Sequence, residues 1–187
     1  MRLLVGLGNP GSSYGKNRHN VGFRMVEGVA IACGGAGFRR TPAFVEISQF
    51  YLNNERVLLA KPQTFMNLSG KAVRFLVDFY KIPLERVYVF HDDIDLQFGR
   101  LKMKNGGGNG GHNGLKNIDE FVGTDYWRLR VGIGRPEEKF HVSSYVLSDF
   151  SPDEEVILMD MVEAICQNLP LLFTDIRQFS SKVSKKI

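Results

Sequence analysis

The chain has 187 residues, 43% of them hydrophobic and 24% charged, with 14 Phe available to fill a core. At roughly 150 residues per domain this is about 1.2 domains, so one globular domain over residues 1–187 is expected, and disorder, collagen and coiled coil are excluded. Lys and Arg number 24 against 20 Asp and Glu, giving a formal net charge of +4 and a pI of about 9.1, a balance that suits a polyanionic partner.

Residues 3–7 are a short continuous apolar run ended by Asn9-Pro10-Gly11, the pattern of a strand buried on both faces in mid-sheet. The turn comes before a signal-peptide core of roughly 7 to 15 apolar residues can form, and no apolar run approaches the roughly 18 residues of a membrane span. Val26, Val29, Ala30 and Cys33 fall at i, i+3, i+4 and i+7, predicting a first helix that starts near Asn20 and stops at Gly34-Gly35. Residues 44–52 and 56–60, separated by Asn53-Asn54, read as two strands joined by a tight turn. Val73, Leu76, Val77 and Tyr80 repeat the helical spacing up to Pro83, and residues 87–90 follow as a strand. Residues 101–104 read as a strand, 105–114 as a glycine-rich loop, Leu115, Ile118 and Val122 as a short helix, and 127–133 as another strand. Ser151-Pro152-Asp153-Glu154 is a capping box with Pro at the first helical position; Leu158, Met161, Val162, Ile165 and Leu169 form the buried stripe. Pro170 is expected to kink or end that helix, and residues 180–187, with Lys182, Lys185 and Lys186, read as a frayed basic tail. Cys33 and Cys166, far apart in sequence and each in an apolar periodic stretch, read as reduced core thiols of a cytoplasmic chain.

Several short motifs do not survive their structural context. Gly6 to Gly11 and Gly106 to Gly111 both fit G-x-G-x-x-G, but a dinucleotide site needs a helix opening directly at the glycines after a strand, with an acidic residue about 20 positions on. The first runs into a polar loop and the second lacks the acid. Gly11-Ser12-Ser13-Tyr14-Gly15 spells G-x-S-x-G, yet Ser13 lies several residues past the strand, where no nucleophile elbow forms. His91-Asp92-Asp93-Ile94-Asp95, with His112 or His19, offers metal-ligand types without H-x-H or H-E-x-x-H spacing.

Four polar segments stand at strand ends or helix mouths: Gly8 to Gly11, Arg18 to Asn20, Phe65 to Gly70, and His91-Asp92 with Gly110 to Gly114. In an α/β sheet the loops at the carboxyl ends of strands share one crevice, so these segments can converge. His accepts and returns a proton near neutral pH and a carboxylate fixes its tautomer, which makes His19 and Asp92 the natural pair. With no convincing Ser or Cys nucleophile, the base would activate water. Asn9, Asn67 and Asn113 each offer a donor and an acceptor that match a peptide backbone, and an amide donor also steadies an oxyanion. The set describes acyl hydrolysis in a neutral, sequence-tolerant pocket. Plainer readings stand beside it: Asn9 as a turn residue, Asn67 or Ser69 as a helix cap, His19 at a helix entrance, Asp92 in a turn.

The motifs V-G-L-G-N-P-G (5–11), R-H-N-x-G (18–22), T-F-M-N-L-S-G-K-A-V (64–73), H-D-D-I-D (91–95), G-G-H-N-G-L-K (110–116) and R-L-R-V-G-I-G (128–134) closely resemble the bacterial peptidyl-tRNA hydrolase family over nearly the whole chain. The resemblance implies a single α/β domain with a twisted mixed β-sheet flanked by helices. It implies a metal-independent esterase without cofactor, acting as a cytoplasmic monomer on peptidyl-tRNA. His19 would be the catalytic base, Asp92 its orienting partner and Asn9 a residue at the scissile group. Asn67 and Asn113 would hold the substrate backbone, with Met66 and Tyr14 lining the cleft. Lys104 and Arg130 would clamp the tRNA 5′ phosphate, which fits the three lysines and no acid between residues 101 and 116. Asn109 and Asp93 depart from residues frequent in the family, and His91, Asp93, Asp95 and His112 are left as supporting residues, His141 as structural. The alternative is a non-catalytic RNA-binding module on the same scaffold.

Overall fold

The structure, a computed structural model, describes residues 1–136 and 142–184. Seven strands run in the order β2-β3-β4-β1-β5-β7-β6: β1 (Arg2–Gly6), β2 (Arg39–Arg40), β3 (Val45–Leu52), β4 (Glu55–Pro62), β5 (Val87–Asp93), β6 (Leu101–Asn105) and β7 (Trp127–Gly132). β1 lies between β4 and β5 and is parallel to both, and β5 is parallel to β7. β2, β3 and β6 are joined antiparallel at the flanks, so the sheet is mixed. The β3–β4 turn is made by Asn53 and Asn54, both at positive φ (49° and 63°), the left-handed pair that a two-residue hairpin requires.

Six helices appear among the described residues: α1 (Val21–Ala32), α2 (Ser69–Tyr80), α3 (Asn113–Val122), α4 (Val142–Val146), α5 (Pro152–Thr174) and α6 (Ile176–Ser184). Alternation along β1 explains the layers. Leu4 packs with α1, α5 and α6 residues such as Met25, Met161, Ile165 and Phe179. Leu3 and Val5 face the other way, onto Val73 and Leu76 of α2 and Leu115 and Ile118 of α3. A continuous apolar run is therefore what a strand buried on both faces needs.

Three expectations are corrected. Residues 180–184 are not a frayed tail, because Phe179 and Val183, four apart, bury one face of α6 in the core; residues 185–187 lie outside the described residues. Of the two outcomes expected at Pro170, a kink or an end, the end does not occur: α5 continues to Thr174, with Leu169 and Leu172 on either side of the proline both buried. β5 runs on to Asp93, so His91 and Asp92 stand on the strand's carboxyl end rather than in a turn. α5 is also long and apolar enough on average to cross a membrane, but its buried stripe faces the sheet. His141 lies outside the described residues.

Candidate active site

The carboxyl ends of the parallel strands β1, β4, β5 and β7 point the same way, and the loops beyond them carry the site. α1 reaches the sheet at backbone contact: a Cβ on Gly22 would lie 2.4 Å from both Leu7 N and Phe90 O. That approach needs glycine, and it sets His19, on the 3-10 turn Arg18–Asn20 just before α1, beside Asp92 at the end of β5.

His19 Nδ1 lies 2.8 Å from Asp92 Oδ1, and His112 Nε2 lies 2.9 Å from the same oxygen. Asp92 is buried. Burial alone would raise its carboxyl, yet the neighbouring imidazoles of His112 and His19 hold it well below the usual carboxylate range. A carboxylate only accepts, so both imidazole nitrogens facing it carry protons. His112 is also the N-cap of α3, and its Nδ1 accepts from Gly114 N at 3.1 Å and Leu115 N at 3.3 Å. Its tautomer is therefore fixed: Nε2–H toward Asp92, lone pair toward the helix. For His19 the same logic leaves Nε2 unprotonated, on a side chain that is 14% exposed. His91 completes a row of three imidazoles, its ring centroid 5.2 Å from that of His112. Burial pushes its pKa down to about 3, so its Nδ1 carries the proton given to Asp92 O at 2.8 Å.

His19, Asp92 and His112 also place one donor atom each within 4.8 Å of the others, a possible metal set. The donor chemistry does not fit. Ligation through His112 Nε2 would require a proton on Nδ1, where two backbone N–H groups already point.

A cleft of about 300 Å³ brings together His19, Asp92, Asn113, Lys104 and Arg130. Lys104 is exposed and has no ion-pair partner among the described residues, whereas Arg130 Nε donates to Asp93 Oδ2 at 2.7 Å. Asn9, Tyr14, Met66 and Asn67 do not line this cleft; they lie on the neighbouring loops after β1 and β4. Asn9 Oδ1 accepts from Met66 N at 2.8 Å, which orients the amide with its NH₂ group on the other side. Met66 packs on the start of α3, since a Cβ on Gly114 would come within 2.6 Å of its Sδ. Asn67 and Asn113 are exposed and make no side-chain hydrogen bond within the described residues. Tyr14 stands half-buried beside Gly11. Neither Asn67 nor Ser69 caps α2, whose N-cap is Leu68; the Gly70 N–H is instead taken by Asn117 Oδ1 from α3 at 2.8 Å.

Sequence reasoning passed over the residues that hold these groups. Asn20 Oδ1 accepts from Asn9 N and Asn20 Nδ2 donates to Asn9 O, both at 2.9 Å, clamping that backbone. Arg18, next to His19, donates through both terminal guanidinium nitrogens to Glu154 at 2.8 and 2.9 Å and lies over the rings of Tyr145 and Phe150. Arg128 donates to Gly108 O at 2.6 Å and Asp119 Oδ1 at 2.7 Å, fixing the glycine-rich loop. Asn20 and Arg18 stand in a quoted motif; Glu154 showed only as a cap.

The model of the family described as Peptidyl-tRNA hydrolase matches residues 3–187. A peptidyl-tRNA hydrolase of Rickettsia bellii is 44% identical over 184 residues, covering 98% of this chain and 100% of the relative. One from Methylorubrum populi is 49% identical over 172 residues, covering 92% of this chain and 81% of the relative. The crystal structure of the Acinetobacter baumannii peptidyl-tRNA hydrolase superposes with a TM-score of 0.92 at 34% identity, covering 100% of this chain and 95% of that one.

Proposed function

This chain belongs to the peptidyl-tRNA hydrolase family and hydrolyses the ester bond of peptidyl-tRNA, and we propose that His19, Asp92 and Asn9 carry that reaction. The observation that carries the reading is the 2.8 Å contact between His19 Nδ1 and Asp92, which leaves the opposite ring nitrogen as a base. Nε2 of His19 takes a proton from water, and the hydroxide attacks the carbonyl carbon that joins the peptide to the tRNA 3′ ribose. Asp92 stabilises the imidazolium that forms. The Asn9 amide donates to the tetrahedral oxyanion. Collapse expels the ribose oxygen, which recovers its proton from His19.

Asn67 and Asn113 hold the peptide backbone, a role supported by exposed amides with no internal partner, while Met66 and Tyr14 flank them. Lys104 and Arg130 hold the tRNA 5′ phosphate at the acceptor end. Phosphate contacts position an RNA without reading its bases, so such an enzyme serves many tRNAs. Catalysis by one chain's own residues fits a monomer, without metal or other cofactor, in the cytoplasm where peptidyl-tRNA arises. The test is cleavage of N-acetyl-aminoacyl-tRNA across a salt series by wild type, Lys104→Ala and Arg130→Ala. KM should rise with salt, as counterion release requires, and the slope should shrink in each variant. A flat KM would remove the clamp from the account.

A further inference from the structure

Away from the cleft, α1 and α5 cross closely. A Cβ on Gly28 would come within 2.6 Å of Val162 Cγ1, so glycine lets the Val162 side chain sit directly on the α1 backbone. Cys33 caps the C-terminal end of α1, five residues past Gly28, and Cys166 lies one turn past Val162 on α5. The two helices pair in step, Arg24 with Glu155 and Gly28 with Val162, so the next step along both brings together Cys33 and Cys166, two thiols that lie far apart in the chain. Both are only partly buried, and both line an open, largely apolar groove of about 760 Å³ between the two helices. They are the chain's only two cysteines.

We propose that Cys33 and Cys166 form a reversible redox pair, closing to an intramolecular disulfide when a hydroperoxide reaches the groove between α1 and α5. Cys33 is the attacking sulfur. Proximity to Cys166 holds the Cys33 thiol below its ordinary pKa against the opposing effect of burial, while the Cys166 thiol is pushed up. The thiolate is the nucleophilic form, so of the two sulfurs Cys33 attacks first. Its thiolate attacks one peroxide oxygen, the O–O bond breaks, and the other oxygen leaves as hydroxide, which is protonated to water. Cys33 is then a sulfenic acid. Cys166 attacks the Cys33 sulfur, the S–O bond breaks, and the departing hydroxide takes the Cys166 proton. Two thiols and one hydrogen peroxide thus give one disulfide and two waters. The bond ties α1, whose start adjoins His19, to α5, whose first turn holds Arg18 through Glu154 and Arg24 through Glu155.

The experiment treats the reduced native protein with a small excess of hydrogen peroxide, then denatures it, alkylates free thiols and weighs it. The expected product is a monomeric chain lighter by two hydrogens and without alkyl groups, with one cross-linked peptide pair containing Cys33 and Cys166. Dithiothreitol should restore two alkylatable thiols. In Cys166→Ser the reaction should stop at a sulfenic acid on Cys33 that dimedone labels, whereas Cys33→Ser should leave Cys166 unlabelled. Two thiols surviving peroxide, a disulfide only between chains, or sulfinic acid on Cys33 without a cross-link in the wild type would each overturn the proposal.

Discussion

His112 donates from Nε2 to the same Asp92 oxygen that receives His19, at 2.9 Å against 2.8 Å. The start of α3 fixes the direction of that bond by pointing two N–H groups at His112 Nδ1. Asp92 is thus an anchored carboxylate, and in the proposed reaction the proton taken from water goes to His19. A hydrogen bond to a charged group contributes about 1.5–3 kcal/mol. His112→Ala should therefore lower kcat by roughly one to two orders of magnitude and leave KM little changed. Steady-state kinetics on N-acetyl-aminoacyl-tRNA decide it; a change confined to KM would assign His112 to substrate binding.

Arg18 ties the turn that bears His19 to α5. Its guanidinium meets both Glu154 oxygens, and that pair is only 11% and 23% exposed. Burial acts to raise the Glu154 carboxyl, but the hydrogen bonds from Arg18 and Ser151 prevail and hold it below its ordinary value. Its contribution is therefore present above the unfolded carboxyl's pKa, about 4.3, and is lost as pH falls through the lower folded value. Glu154→Ala should cost roughly 1.5–3 kcal/mol of stability at pH 7 by urea unfolding, and the difference from wild type should narrow at acid pH. An equal cost at both pH values would mean the charge pair contributes nothing.

Asp93 competes for the proposed phosphate clamp. Its 2.7 Å bond to Arg130 Nε must be shared or broken when a phosphate arrives. Asp93→Asn should lower KM for tRNA substrates several-fold at low ionic strength, with the gain disappearing at high salt. Unchanged KM at low salt would show that Arg130 keeps its place whatever stands at position 93.

His91 makes the fold acid-sensitive. Its pKa is about 3 when folded and about 6.5 when unfolded, so on acidification the unfolded chain takes up its proton first. Stability is full above about pH 6.5 and declines as pH falls from there toward 3. A Tm series from pH 7 to 4.5 should show a steep fall in wild type and a shallower one in His91→Gln. Parallel curves would place the acid sensitivity elsewhere.

The order of elements was legible because burial leaves a period: β1 has no polar face to show, and the α2 and α5 stripes repeat every three to four residues. The convergence of His19 with Asp92 followed from the rule that loops share the carboxyl end of a parallel sheet. What escaped notice depended on contacts between distant segments. The end of β5 was missed because His91 and Asp92 interrupt its apolar run, although both are buried. Arg18 and Glu154, or Cys33 and Cys166, carry no local sign of each other. The α6 stripe has only Ile176, Phe179 and Val183, too short a period to outweigh the lysines beside it.

The central claim is that His19 Nε2 is the base. The most direct test is single-turnover cleavage of N-acetyl-aminoacyl-tRNA in EDTA by wild type and His19→Ala, with imidazole titrated into the variant. The account predicts a loss of roughly 10²–10⁴-fold in the variant, the usual worth of a positioned base, with part of it restored by imidazole in its neutral form. A variant that cleaves within a few-fold of wild type would contradict it, and the proton would have to be taken elsewhere.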